Sequence, residues 1–180
     1  MKQGVINDML IKTIIEKVER RYDAVKYWKR KGCQIGDNCE IYPTANLGSE
    51  PYLISIGNHV RINDGVQLIT HDGGMWVLRG YSATYQNADR FGRITIGNNV
   101  HIGTNSIIMP GVTVGDNVII GCGSIVTKSI PSFGIVAGIP AKFIETIDEY
   151  SQKHVHDIVM TKNFSVKEKE RFLLSYYNSN

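Results

Sequence analysis

From Ile96 to Pro131 the chain advances in six consecutive hexads, "IGNNVH", "IGTNSI", "IMPGVT", "VGDNVI", "IGCGSI" and "VTKSIP". The same rhythm occurs earlier, as "IGDNCE" and "IYPTAN" from Ile35 and as "IGNHVR" and "INDGVQ" from Ile56. Each unit places an aliphatic residue first, often glycine second, a polar pair next and a small or β-branched residue fifth. A six-residue period drifts around a 3.6-residue helix and leaves no continuous apolar stripe. The glycine and β-branched content also disfavours a helix. A solenoid can use this pattern. Each hexad forms a short strand and a corner, the aliphatic residue points inward, and Gly-Asn or Asp-Asn accommodates the corner's backbone angles. Stacked coils then bury a column of Ile and Val, and each coil's backbone pairs with that of the next.

These hexads resemble those of the hexapeptide-repeat acyltransferases, and the resemblance runs over residues 35–144. The closing segment "GSIVTKSIPSFGIVAGIPAKFI" is similar to the run that ends the coil in that family. Within it, the sequence is most similar to sugar and polysaccharide O-acetyltransferases of the maltose and galactoside branch. The implied fold is mainly β: a left-handed parallel β-helix of triangular section. The resemblance further implies acetyl-coenzyme A as co-substrate with no metal required, a sugar or saccharide hydroxyl as acceptor, and a homotrimer with its sites between subunits.

The domain reading is a helical segment at 1–34, the β-helix at 35–144 and a second helical segment at 145–180. Ile14, Ile15, Val18, Tyr22, Val25 and Trp28 lie near a helical period, which predicts one amphipathic helix over residues 5–30. A second helix is expected after Ala141 through "KFIETIDEYSQKH". A third is expected after Ser165, where Ser-x-x-Glu forms a helix start. These helices are expected to cap the open ends of the coil.

Composition narrows the function classes. Among 180 residues the net charge is +3, and no basic block suggests nucleic acid. "KYWKRK" (26–31) reads as a solvated helix end. No apolar run reaches the length of a membrane span, and the N-terminus lacks a signal-peptide core. Cys33, Cys39 and Cys122 show no metal-type spacing, so a reduced, cytoplasmic compartment is expected.

The rhythm breaks between Leu68 and Gly92, "LITHDGGMWVLRGYSATYQNADRFG", predicting a protruding loop at about 70–93. Breaks in a solenoid tend to carry the binding face. The break opens with His71, and "THD" before an insertion resembles the place where the family keeps its general base. A neutral imidazole suits the removal of a proton from an attacking hydroxyl near neutral pH. One ring nitrogen must then be held by an acceptor. Asp72 is the adjacent carboxylate, although neighbouring side chains on an extended chain diverge and a backbone carbonyl would serve equally well. Asp72 is therefore a second catalytic candidate. Trp76, Arg79 and Tyr85 offer the flat rings and hydrogen bonds that a sugar needs, with arginine suited to phosphate or carboxylate groups. Asn63 is a further acceptor-binding candidate, with a corner role as its alternative. His101 is read either as lining the thioester channel or as a rung-surface residue. His59 is expected at a corner.

The coenzyme-binding positions come from the resemblance alone: Thr104, Cys122, Thr127 and Lys128, with Lys142 toward the nucleotide phosphates. Glu145 stands where the family carries a further basic residue. Other readings of the same coil are an N-acyltransferase on an amino sugar or antibiotic, a γ-carbonic-anhydrase-like zinc enzyme, and a non-catalytic scaffold. The zinc reading needs a close pair of late histidines, whereas His59, His71 and His101 are widely spaced and His154 with His156 lacks nearby ligands.

Overall fold

The computed structural model describes residues 13–178. Strands β1 (Gln34–Ile35), β3 (Ile54–Ile56), β6 (Ile94–Ile96) and β9 (Thr113–Val114) stack as one face, called here face A. Face B contains β2 (Glu40–Ile41), β4 (Val60–Ile62), β7 (Val100–Ile102), β10 (Val118–Ile120) and β12 (Gly134–Ala137). Face C contains β5 (Gln67–Leu68), β8 (Ile107–Ile108) and β11 (Ile125–Val126). Every pairing within these stacks is parallel, so the chain winds A, B, C and climbs one rung per turn, which is the β-helix expected from the hexads.

First-place aliphatics fill the interior. Ile62, Ile102 and Ile120 are fully buried beneath face B, as are Leu68 and Ile108 beneath face C, while Ile56, Ile96 and Val114 line face A at no more than 3% exposure. The corners follow from the fourth place of the hexad. Asn38, His59, Asn99, Asn105 and Asn117 all have positive φ there, between 54° and 60°, and Phe133, just past the last hexad, has φ 67°. Asparagine tolerates this left-handed backbone, so its recurrence at the corners is a steric requirement. The third-place side chains form a ladder between coils. Asn58 Oδ1 accepts from Asp37 N, Asn98 Oδ1 from Asn58 N, and Asp116 Oδ1 from Asn98 N, at 2.8, 2.9 and 2.6 Å. These bonds satisfy corner amides that no strand pairs. The glycine between strand and corner is a matter of space: a Cβ on Gly57 would lie 2.6 Å from the Gly97 carbonyl oxygen of the next coil.

Regular rungs lie three hexads apart, as in Thr95 opposite Thr113 and Val100 opposite Val118. Two passages are longer. Glu40 pairs with Arg61, three positions beyond a regular turn, and Val60 pairs with Val100, more than six hexads on. Both excesses lie where the chain passes from face C to face A. The shorter one falls around Ser49 and Glu50, and the longer one is the whole insertion that follows His71. The two irregularities are therefore stacked on a single corner.

The N-terminal segment differs from the single helix expected. It forms α1 (13–22) and α2 (Ala24–Arg30), separated at Asp23, whose φ of −148° breaks the helix and whose carboxylate accepts from Lys26 N at 2.9 Å. An Asp that can cap a following turn competes with helix continuation. The expected residues 5–12 lie outside the described residues. Ala24 and Trp28 of α2 pack into the same core as Ile35 and Ile41, so α2 closes the first coil. Arg20 lies over the Trp28 ring and its guanidinium donates to the Ala45 carbonyl at 2.7 Å.

The helix expected after Ala141 is corrected over its first five residues and borne out over Ile147–His154. Residues Lys142–Thr146 form strand β13, antiparallel to β12. The unpaired edge of the last coil provides backbone partners, and that context overrides a weak helical preference. A second compact unit begins at Asp148. Its helices are α4 (Ile147–His154) and α5 (Val166–Asn178). The Ser165 start is borne out as a reciprocal cap, Ser165 N donating to Glu168 Oε2 at 2.8 Å and Glu168 N to Ser165 Oγ at 3.4 Å. No helix among the described residues is long and apolar enough to cross a membrane.

Candidate active site

The chain leaves face C after Leu68 and regains face A at Ile94. The stems of this excursion are held together: Gly92 N donates to the Thr70 carbonyl and Asp72 N to the Arg90 carbonyl, each at 2.8 Å, with His71 opposite Phe91. Between the stems lie helix α3 (Met75–Tyr81) and a single helical turn at Ala83–Tyr85, so the expected loop is partly helical. Gly74 N donates to Asp72 Oδ1 at 2.9 Å and Arg90 Nη1 to Asp72 Oδ2 at 2.6 Å. Arg79 is ion-paired with Asp89, and its Nε donates to the Ala88 carbonyl at 2.9 Å. No residue from 71 to 91 is buried.

His71 lies at the root of this insertion, its side chain half exposed to a cavity of about 480 Å³. Its Nδ1 is 3.3 Å from Glu50 Oε2 and 3.3 Å from Ser49 Oγ. Glu50 is fixed from behind by Thr70, fully buried, whose hydroxyl donates to Oε2 at 2.6 Å. That bond above all, with Ser49 and His71 behind it, holds the Glu50 carboxyl below its ordinary value. An ionised Glu50 facing Nδ1 favours the tautomer protonated there and leaves the Nε2 lone pair available to a substrate.

Asp72 is not the carboxylate that faces the imidazole. Its two oxygens are taken by Gly74 N and Arg90, and those same contacts, the Gly74 bond first, draw its carboxyl below the ordinary value. The reason is geometric: consecutive side chains on extended backbone point to opposite sides. Sequence reasoning missed Glu50. The signal that identifies it is the three-residue slip in the rhythm between Asn46 and Ile54, which places "SEP" on the corner directly beneath His71.

Trp76, 79% exposed, lines the cavity, and Arg79 lines it while bound to Asp89. Tyr85 is exposed but does not line it. Asn63 lies apart, at the corner between faces B and C, with its Oδ1 buried and without a hydrogen-bond partner. Thr104 and Cys122 occupy that same corner in successive coils, where Gly123 N donates to the Thr104 carbonyl at 2.8 Å. Thr127 and Lys128 are exposed on the corner between faces C and A, two coils beyond His71, and Lys142 is exposed on β13. His101 projects from face B between Arg61 and Ile119. Burial, with the nearby Arg61 charge adding to it, lowers its pKa. The fold thus gathers His71, Asp72, Trp76 and Arg79 at one cavity, leaves Tyr85 elsewhere on the insertion, and distributes the remaining candidates over the two edges of face C, face B and β13.

His59 is at the corner expected of it. Among the described residues no three His, Cys, Asp or Glu side chains gather as a metal-holding group.

Residues 93–128 match the family described as bacterial transferase hexapeptide (six repeats). Protein CapG of Staphylococcus aureus is 46% identical over 172 residues, covering 94% of this chain and 98% of that protein. The galactoside O-acetyltransferase of Escherichia coli (strain K12) is 42% identical over 124 residues, covering 68% of this chain and 57% of that protein. A solved structure of a galactoside acetyltransferase in complex with coenzyme A superposes with a TM-score of 0.55 at 28% identity, covering 79% of this chain and 82% of the other.

Proposed function

This chain belongs to the hexapeptide-repeat transferase family, and from that premise we propose that it carries an acetyl group from acetyl-coenzyme A to a saccharide hydroxyl, with His71 as general base. The observation that supports the reading is the carboxylate-backed imidazole of His71, which lines a cavity beside an exposed Trp76. In the proposed step, the acceptor oxygen attacks the thioester carbonyl while Nε2 takes its proton. Collapse of the tetrahedral adduct breaks the carbon–sulfur bond, and the proton passes from the imidazolium to the departing thiolate. The products are the acetyl ester and free coenzyme A.

The small side chains of Thr104 and Cys122 leave their corner open to a pantetheine arm running past Thr127. Lys128 and Lys142 are exposed cations suited to nucleotide phosphates, and His101 stands beside this path on face B. A homotrimer with the cavity at a subunit boundary accounts for an insertion that buries none of its own residues and exposes Trp76, Val77 and Tyr81. A co-substrate drawn from the cytoplasmic pool fits a cytoplasmic reaction, and the galactoside named for one relative favours a sugar acceptor, free or within a polysaccharide.

Replacing His71 with Ala tests the reading, with release of free thiol from acetyl-coenzyme A measured against a panel of saccharides. The expected loss is about 10²- to 10⁴-fold in rate, with fold and assembly retained. Transfer at the wild-type rate by the folded variant overturns the assignment.

A further inference from the structure

The charged groups around the cavity are already matched to one another. Apart from His71 the lining holds three carboxylates, Glu50, Asp72 and Asp89, and two guanidiniums, Arg79 and Arg90. Arg90 is bound to Asp72 and Arg79 to Asp89, while Glu50 faces His71. With the imidazole neutral, one negative charge is left in excess. The sequence alone suggests arginines for a phosphate or carboxylate. Such recognition is strongest at a guanidinium without a carboxylate of its own, and here each has one: Arg79 meets Asp89 and the Ala88 carbonyl, and Arg90 meets Asp72 through Nη1.

Resting on the acetyl-transfer reading, we infer that this cavity takes a neutral saccharide and rejects its anionic counterpart, and that Asp72 and Asp89 are the residues that set this preference. An incoming anion meets guanidiniums whose charge Asp72 and Asp89 already balance, and it adds to the one negative charge left uncompensated. A neutral sugar does neither. Its hydroxyls can donate to lone pairs that remain on the paired carboxylates, and its apolar ring face can lie against the exposed Trp76 indole.

The test compares a methyl hexuronoside with its primary amide, nearly equal in shape but one anionic and the other neutral, across the common ring configurations. Binding is measured by titration calorimetry and acetyl transfer by thiol release. For the wild-type protein the amide is expected to bind and react about tenfold better at low ionic strength, with the gap narrowing as salt is added. Asp72→Asn or Asp89→Asn, by freeing a guanidinium, narrows or reverses the gap. Equal or tighter binding of the carboxylate form by the wild-type protein overturns the inference. Preferential binding of the amide with no thiol released leaves the charge argument standing and overturns acetyl transfer instead.

Discussion

Glu50 Oε2 stands 3.3 Å from His71 Nδ1, although more than three hexads of sequence separate the two, because both occupy the same corner of successive coils. The Thr70 hydroxyl, one residue before the histidine, holds the carboxylate in place from the buried side. A histidine positioned this way has one nitrogen committed and one available.

Glu50→Gln is expected to lower kcat by roughly 10²-fold, because an imidazole that is free to turn or change tautomer loses its alignment with the acceptor. The KM for acetyl-coenzyme A is expected to stay within a few-fold of wild type, since Glu50 is placed away from the coenzyme-binding candidates. Steady-state kinetics on both substrates check this. A change confined to KM contradicts the orienting role.

The cysteines are expected to separate by reactivity. Cys33 is 4% exposed, and burial pushes its thiol up to about 12, so it stays protonated and unreactive near pH 8. Cys122 is exposed. Alkylation followed by peptide mass spectrometry is expected to label Cys122 in the native protein and Cys33 only after unfolding. Acetyl-coenzyme A is expected to slow labelling of Cys122, because the proposed pantetheine path crosses its corner.

His59 sits at φ +56°, at the hexad place that Asn38, Asn99 and Asn117 fill in other coils. His59→Asn is expected to change stability by less than about 0.5 kcal/mol. His59→Val puts a β-branched residue in left-handed backbone and is expected to cost about 1–3 kcal/mol. Urea unfolding midpoints of the two variants distinguish a corner constraint from a general surface effect.

His101 binds a proton less readily in the folded protein than its ordinary value of 6.5, because burial and then Arg61 disfavour the imidazolium. Below that value the unfolded chain takes up the proton first, so the contribution of His101 to stability is complete above about pH 6.5 and declines as pH falls toward the lower folded value. The wild-type urea midpoint is expected to drop between about pH 7.5 and about pH 5.5, and His101→Gln to reduce that drop. An unchanged drop in the variant shows that other groups cause it.

The coil, its corners and the histidine at its interruption were legible in the sequence because each depends on local chemistry. An aliphatic residue every sixth position can be buried only by a turning strand, and an Asn repeated at the fourth place marks left-handed backbone. The partner of His71 depended on distant residues. Asp72 is adjacent but directed away, whereas Glu50 arrives from the coil below because that passage is three residues longer than a regular turn. The same holds for residues 142–146, whose strand exists because β12 offers an unpaired edge, and for Arg79, which read as an anion binder until the folded insertion set Asp89 against it. Periodicity is a property of neighbouring residues and can be read along the chain. Which charge meets which depends on coil lengths summed around a closed turn, and only the folded solenoid performs that sum.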